Sequence, residues 1–282
     1  MSVYKLLSRI VAPTFDTDAL DEGEEEELKH DHTYGITSDP LTQFSVVLSA
    51  LMHDVDHRGV PNNVLMKEDK SMSELYHNKS IAEQNSVDIA WEALMSEEFD
   101  AFRACIFCDK SELLRFRQLL VNSVIATDIF DKEQSALRKN RWARAFSEDS
   151  CSISSDDSFH SDVNRKATIV IEHLIQASDV AHTMQHWHVY TKWNERLFQE
   201  MYEAYLDKRS STDPSVGWYK GEIWFFDNYV IPLAKKLKNC GVFGVSSDEY
   251  LNYAVTNRNE WAISGEAMVE NMKLKYSQTQ EA

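Results

Sequence analysis

Residues that turn a chain sharply are scarce here: 282 residues include only eight glycines and five prolines. Glycine supplies the positive φ of tight turns and proline presets their first corner; together they make up about 12% of an average chain. A strand-rich fold reverses direction at short intervals and could not do so with so few. Hydrophobic residues at 43% and aromatics at 11% are enough for a large core, which excludes disorder throughout. The chain therefore reads as an all-α, compact multi-helix fold. No linker divides it, so residues 1–282 read as a single domain.

Apolar residues recur at helical spacing along most of the chain. Val3, Leu6, Leu7, Ile10 and Val11 form a stripe with almost no capping sequence before it, like the second half of a helix. Asp39 can cap the next helix, with Pro40 in its first turn and Phe44, Val47, Leu48 and Leu51 as its apolar positions; Gly59 and Pro61 should stop it. Ser80 with Glu83 reads as a capping box ahead of Ile89 and Leu94. Ser111 opens a helix carrying Leu113, Leu120, Val124 and Ile125 and ending at Thr127-Asp128. Residues 166–176 turn Ile171, Leu174 and Ile175 inward and deliver Asp179. Tyr190, Trp193, Leu197 and Met201 stripe another helix, and residues 222–237 and 248–263 complete the set, with Pro232 expected to kink the former. Two stretches read as mobile surface loops, the acidic residues 16–32 and the Ser/Asp-rich residues 147–165.

A net charge of −17 argues against binding nucleic acid through a broad basic face. It does not argue against a small anionic substrate, because bound divalent cations would dominate the local field. Four cysteines make no disulfide framework, and Cys105 and Cys108 form a lone CxxC without a second pair at zinc-site spacing. No run of about 18 apolar residues and no signal peptide is visible. The expectation is a soluble, cytoplasmic chain with no membrane segment of its own.

The stretch richest in chemistry is His53-Asp54-Val55-Asp56-His57. An adjacent His and Asp bring a borderline-soft nitrogen and a hard oxygen to one place, a combination suited to zinc, iron or manganese. If the helix from Pro40 continues through it, His53 and His57 share a face and Asp54 lies about 100° round. A helix C-terminus where histidines meet the dipole would explain one of them, but not two carboxylates interleaved with two histidines. Asp179, in Ser178-Asp179-Val180-Ala181-His182 at the end of another apolar helix, is the natural further ligand, although an Asp in that position, taken alone, is more often a plain polar helix end.

Residues 53–62, His-Asp-Val-Asp-His-Arg-Gly-Val-Pro-Asn, resemble the metal-site motif of class I 3′,5′-cyclic nucleotide phosphodiesterases. Ser80-Ile81-Ala82-Glu83 is similar to that family's segment with a water-holding glutamate, and Val124-Ile125-Ala126-Thr127-Asp128 to its "ATD" helix end. Ala177-Ser178-Asp179 resembles the segment with the second metal aspartate, and Trp193-Asn194-Glu195-Arg196-Leu197 the helix after it. Residues 221–227, Gly-Glu-Ile-Trp-Phe-Phe-Asp, followed by Ile231-Pro232-Leu233, resemble the purine-binding segment. These segments stand in family order over roughly residues 36–265; the His-Asp stretch is specific, the others weak singly and strong together.

The resemblance implies an all-α hydrolase of 3′,5′-cyclic nucleotides, cAMP or cGMP, holding two divalent cations, Zn2+ and Mg2+ or Mn2+. It makes His53, Asp54 and Asp179 metal ligands, and His57, Glu83 and Thr127 holders of waters in the catalytic site. Glu222, Phe225, Leu197 and His182 become substrate-binding residues, Phe225 and Leu197 as the two halves of a base clamp. For Phe225 and Leu197 plain core packing, and for Glu83 plain capping, explain the residue as well locally. The implied partners are the cyclic nucleotide and, in a longer protein, an upstream sensory, membrane or cyclase region.

Two departures from the family pattern stand out. The family motif His-Asn-x-x-His-Ala, which holds the general acid and a zinc ligand, should lie upstream of His53, yet no histidine precedes His30. Either the chain is truncated, as its uncapped start indicates, or it is a natural variant lacking a general acid, a loss worth ~10²–10⁴-fold in rate; the alternative functions are then a catalytically weak cyclic-nucleotide-binding or regulatory module, or a His-Asp phosphohydrolase of another phosphoester. The second departure is Glu222, where the family usually has glutamine. An ionised carboxylate only accepts hydrogen bonds, which matches the N1–H and N2–H₂ donors of guanine and opposes the N1 acceptor of adenine.

Overall fold

Asp39 shows how local chemistry starts these helices. Its Oδ1 accepts from Leu41 N at 3.1 Å and Thr42 N at 3.2 Å, and Pro40 occupies the first turn, where no N–H is needed. The same device recurs at Asp69, Asp109, Asp131 and Asp213. The computed structural model describes residues 2–11, 22–146 and 156–278, and no strand occurs among them. The α-helices are α1 (Ser2–Leu7), α2 (Glu22–His32), α3 (Pro40–Met52), α4 (Asn62–Glu68), α5 (Lys70–Leu75), α6 (Ile81–Met95) and α7 (Asp100–Ile106). They continue with α8 (Lys110–Ile125), α9 (Lys132–Ala145), α10 (Asp156–Asp179), α11 (Trp187–Leu206), α12 (Pro214–Phe225), α13 (Ile231–Asn239) and α14 (Glu249–Gln278). The all-α expectation is met.

The chain forms two compact units, one of Met1–Asp56, Ala82–Asp179 and Asn239–Ser247, the other of His57–Ile81, Val180–Lys238 and Asp248–Ala282. Each is assembled from separated stretches, so no linker marks their boundaries in the sequence.

In the first unit α3 packs on α8, with α1 and α10 also against it. Met52, Val87, Leu94, Phe116, Leu120 and Val124 form a buried cluster with Phe44 and Leu48 half-buried at its margin. The deepest positions of α3 are not the apolar stripe expected. Thr42, Ser45, Val46, Ser49 and Met52 are buried, while Leu51 is 77% exposed. Ser45 and Ser49 donate to the carbonyls four residues back, at 2.6 and 2.7 Å. Their small, internally satisfied side chains let neighbouring helices approach closely.

Both expected loops need correction. Glu22–His32 is a helix with a Glu25–Lys29 ion pair one turn apart. The turn after it is closed by Tyr34, whose φ of +53° lets Gly35 N reach His30 O at 2.7 Å, with Tyr34 N on Asp31 O at 3.1 Å; Gly35 follows at φ +72°, where a Cβ would come within 2.7 Å of the His30 ring. Residues 16–21 lie outside the described residues. Likewise 156–165 belong to α10, and 147–155 lie outside the described residues. α10 buries Ile171, Leu174 and Ile175 as expected, and Arg141 of α9 donates to both oxygens of Glu172 at 2.8 Å. Asp109, not Ser111, caps α8.

In the second unit α11 and α12 pack on α14. The buried row of α11 is Tyr190, Asn194, Phe198 and Tyr202; Trp193, Leu197 and Met201 fall on its exposed side. Tyr190 meets the edges of Phe226 and Trp261 with ring centroids 5.2 and 5.8 Å apart. The kink expected at Pro232 takes the form of a π-turn over Phe226–Val230, in which Ile231 N bonds Phe226 O five residues back. The wider turn accommodates a ring that would strike the carbonyl four residues back.

Candidate functional site

α3 ends at Met52, one residue short of the His-Asp stretch, and His53 is its C-cap in right-handed geometry. The backbone then turns through His53–Asp56, with Asp56 at φ +60°. His53 and His57 therefore do not share a helical face, contrary to expectation. His53 Nδ1 lies 3.0 Å from Ala50 O. A carbonyl only accepts, so Nδ1 carries a hydrogen and Nε2 points away from the helix. Nε2 is 3.3 Å from both Asp54 Oδ2 and Asp179 Oδ1, the latter from the last residue of α10. One ligand atom from each of the three residues lies within 4.8 Å of the others.

Burial would lower the His53 pKa, but the Asp179 hydrogen bond and the charges of Asp54 and Asp179 raise it to about 9. Two carboxylates thus gather positive charge at Nε2. A neutral imidazole nitrogen and two carboxylate oxygens are a donor set that fits a divalent cation of the zinc or manganese kind, and the exposure of Asp54 and Asp179 leaves it accessible.

Of the other expected residues, Glu83 lies half-buried in the first turn of α6, and Thr127 just beyond α8 donates its hydroxyl to Val124 O at 2.7 Å. Both belong to the same unit as the histidine–aspartate group. His57 is exposed in the other unit, its Nδ1 accepting from Gly59 N at 3.3 Å.

The second unit holds a different polar group. Trp218, from α12, donates through Nε1 to Asn194 Oδ1 at 3.2 Å. Indole has no acceptor, so this bond fixes the amide, and Nδ2 faces Tyr190 Oη at 3.4 Å. Tyr190 in turn donates to Glu222 Oε2 at 2.8 Å. Trp218, Asn194 and Tyr190 are all buried. Burial of the carboxyl raises the Glu222 pKa to about 7 against the pull of the Tyr190 and Asn194 hydrogen bonds, and the Tyr190 hydroxyl is pushed up in turn by burial and the neighbouring carboxylate. Phe225, one turn along α12, stacks on Tyr229 at 5.3 Å. Leu197 is 45% exposed on α11, and the His182 ring lies 6.4 Å from Trp193. The parts played by Tyr190, Asn194 and Trp218 were not foreseen from the sequence; an asparagine inside the apolar row of α11 was the one available signal.

Fold and site together define an all-helical protein with a histidine–carboxylate group suited to a divalent cation. A family model described as 3′5′-cyclic nucleotide phosphodiesterase matches residues 26–242. The chain belongs to that family. The 3′,5′-cyclic-AMP phosphodiesterase 4C of Mus musculus is 23% identical over 202 residues, 68% of this chain and 28% of that protein. The cGMP-specific 3′,5′-cGMP phosphodiesterase 3 of Dictyostelium discoideum is 20% identical over 234 residues, 80% of this chain and 46% of that protein. The phosphodiesterase domain of Salpingoeca rosetta rhodopsin phosphodiesterase matches with a TM-score of 0.62 at 20% identity, covering 89% of this chain and 74% of that one; this likeness shows the fold. The chain spans less than half the length of the curated relatives it matches. No helix among the described residues is long and apolar enough to cross a membrane.

Proposed function

We propose that this chain hydrolyses 3′,5′-cyclic nucleotides to 5′-nucleoside monophosphates with divalent cations held by His53, Asp54 and Asp179. The observation that carries this reading is the meeting of His53 Nε2 with both carboxylates in a member of the phosphodiesterase family. Zinc with magnesium or manganese suits the mixed nitrogen and oxygen donors. Bound there, such ions supply Lewis-acid charge that makes water a better nucleophile near neutral pH and offsets the phosphate charge. The Ala50 carbonyl keeps the His53 Nδ1 proton in place and leaves Nε2 for ligation. Thr127, its hydroxyl proton committed to Val124 O, is an acceptor for a water's hydrogen; Glu83 and His57 are assigned the same task of holding water. Glu222 reads the purine edge, Phe225 and Leu197 flank the base, and His182 contributes to substrate binding.

The activity is assigned to the cytoplasm. An upstream sensory, membrane or cyclase region in a longer protein would control it, an arrangement suggested by the name of the Salpingoeca rosetta rhodopsin phosphodiesterase. The test is release of 5′-nucleotide from cAMP and cGMP with added Zn2+ and Mg2+ or Mn2+. Asp54→Ala and Asp179→Ala should abolish it, and turnover unchanged in both variants would overturn the assignment.

A further inference from the structure

The turn that carries His53 and Asp54 is held from outside. After α3 ends, its backbone passes through Asp56 at φ +60°, a left-handed conformation that side-chain-bearing residues disfavour. Inside the turn, Val55 N bonds Met52 O at 3.1 Å. Two side chains of α6 supply the rest. Ser86 is 1% exposed, and its hydroxyl has two carbonyls within reach, Val55 O at 2.7 Å and Ala82 O of its own helix at 3.0 Å. A single hydroxyl hydrogen serves one acceptor at a time, and the nearer belongs to the turn. Beside it, Asn85 Nδ2 donates to Asp56 Oδ2 at 3.2 Å. α6 is a firm base for both bonds: Val87, next to Ser86, and Met52, next to His53, lie in the same buried cluster.

We propose that Asn85 and Ser86 are positioning residues for the metal centre, tying Val55 O and Asp56 to α6 so that the His53–Asp54 backbone aims both ligands at Asp179. The inference rests on the metal reading above. It concerns residues that touch no ligand atom, so their effect should appear in cation affinity and in local backbone opening. Outer groups that orient metal ligands are typically worth about 10–100-fold in affinity.

The experiment is calorimetric titration of the full chain with Mn2+ and with Zn2+, paired with hydrogen exchange at the Val55 amide of the ion-free protein. The variants are Asn85→Ala, Ser86→Ala and their combination. The combined variant should bind either ion about 10–100-fold more weakly and exchange Val55 faster. Ser86→Thr should retain more affinity than Ser86→Val, since the two have nearly one shape and differ in the hydroxyl. Wild-type affinity or wild-type exchange in the combined variant, or equal affinities of the Thr and Val variants, would overturn the positioning role. If the Ser86 variants fail to fold by circular dichroism, the half-buried Asn85→Ala decides by the same two measurements. No ion uptake by the wild type would overturn the metal reading itself, whereas normal wild-type uptake with indifferent variants overturns the positioning role alone.

Discussion

Tyr190 donates its phenolic hydrogen to Glu222 Oε2 across 2.8 Å, and it has no choice of direction, because Trp218 and Asn194 occupy the acceptor side of the chain of bonds. Oε2 accepts that hydrogen, and Asn194 also bonds the carboxyl. An ionised Glu222 only accepts, whereas a neutral one also has a hydrogen to donate. Since burial brings its pKa to about 7, both forms are populated near neutral pH.

On its proposed role at the purine edge, Glu222 should make nucleotide preference depend on pH. Well above pH 7 the ionised Glu222 favours cyclic GMP, whose N1–H and N2–H₂ donate. Below pH 7 the neutral form offers a hydrogen to adenine N1 and the preference shrinks. A matched against a mismatched polar contact is worth ~1–3 kcal/mol, roughly ten- to a hundredfold in relative affinity. Competition of cyclic GMP against cyclic AMP at pH 6 and pH 8.5 measures it, with Glu222→Gln as the control that cannot titrate. A pH-independent preference in the wild type would remove Glu222 from base selection.

Stability should carry the same signature with a defined sign. The folded pKa of Glu222, about 7, lies above its ordinary 4.5. The folded state therefore holds the proton more tightly, so this contribution is complete below about pH 4.5 and is lost as pH rises through 7. The loss is on the order of 3 kcal/mol at 1.36 kcal/mol per pH unit. Denaturant unfolding of wild type and Glu222→Gln between pH 4.5 and 8 should show the wild type losing ground to the variant across that window. A constant difference would mean that the carboxyl ionises normally in the folded chain.

What could be read from the sequence, and what could not, follows from the range of the forces involved. The start of α3 was legible because Asp39 and Pro40 act on their own helix within three residues. Its end was not: the stop signals Gly59 and Pro61 lie beyond the true break, which coincides with a turn bonded to Ser86, 31 residues away. The charge run hid α2 because its stop, the left-handed pair Tyr34-Gly35, sits outside the run. Hydrophobicity places Leu51 in the apolar stripe and leaves Ser45 out of it, but helices in close contact select for small side chains, and only the packed structure shows which face is close. The metal group joined segments 125 residues apart through a family pattern, whereas the Trp218–Asn194–Tyr190 chain depends on helix packing that periodicity does not encode.

Phe116 should be a costly residue to truncate. It is fully buried, and its ring packs near Phe44, Trp91 and Phe107 with centroids 6.3, 6.4 and 5.7 Å away. Phe116→Ala leaves a cavity among α3, α6 and α8 and should cost about 3–5 kcal/mol. Chemical denaturation gives the value directly, and a loss below about 1 kcal/mol would show that the cluster collapses to fill the space.

The proposed metal centre makes the most direct prediction. His53 would contribute one neutral nitrogen only if its other nitrogen stays protonated toward Ala50 O, and Asp54 and Asp179 would contribute the negative charge that draws the cation. Removing either carboxylate takes away both a ligand and half of that charge, so Asp54→Ala and Asp179→Ala should each lower bound zinc or manganese sharply. The paired replacement should lose it entirely. Asp128 is the control: it is buried at the other end of the ATD segment, its Oδ1 accepts from Phe130 N at 3.1 Å and Asp131 N at 3.2 Å, and it lies outside the ligand group. Asp128→Asn should keep the wild-type metal content. Elemental analysis of the purified proteins after equilibration with each ion decides the matter, and equal metal in wild type and the paired variant would place any bound cation elsewhere.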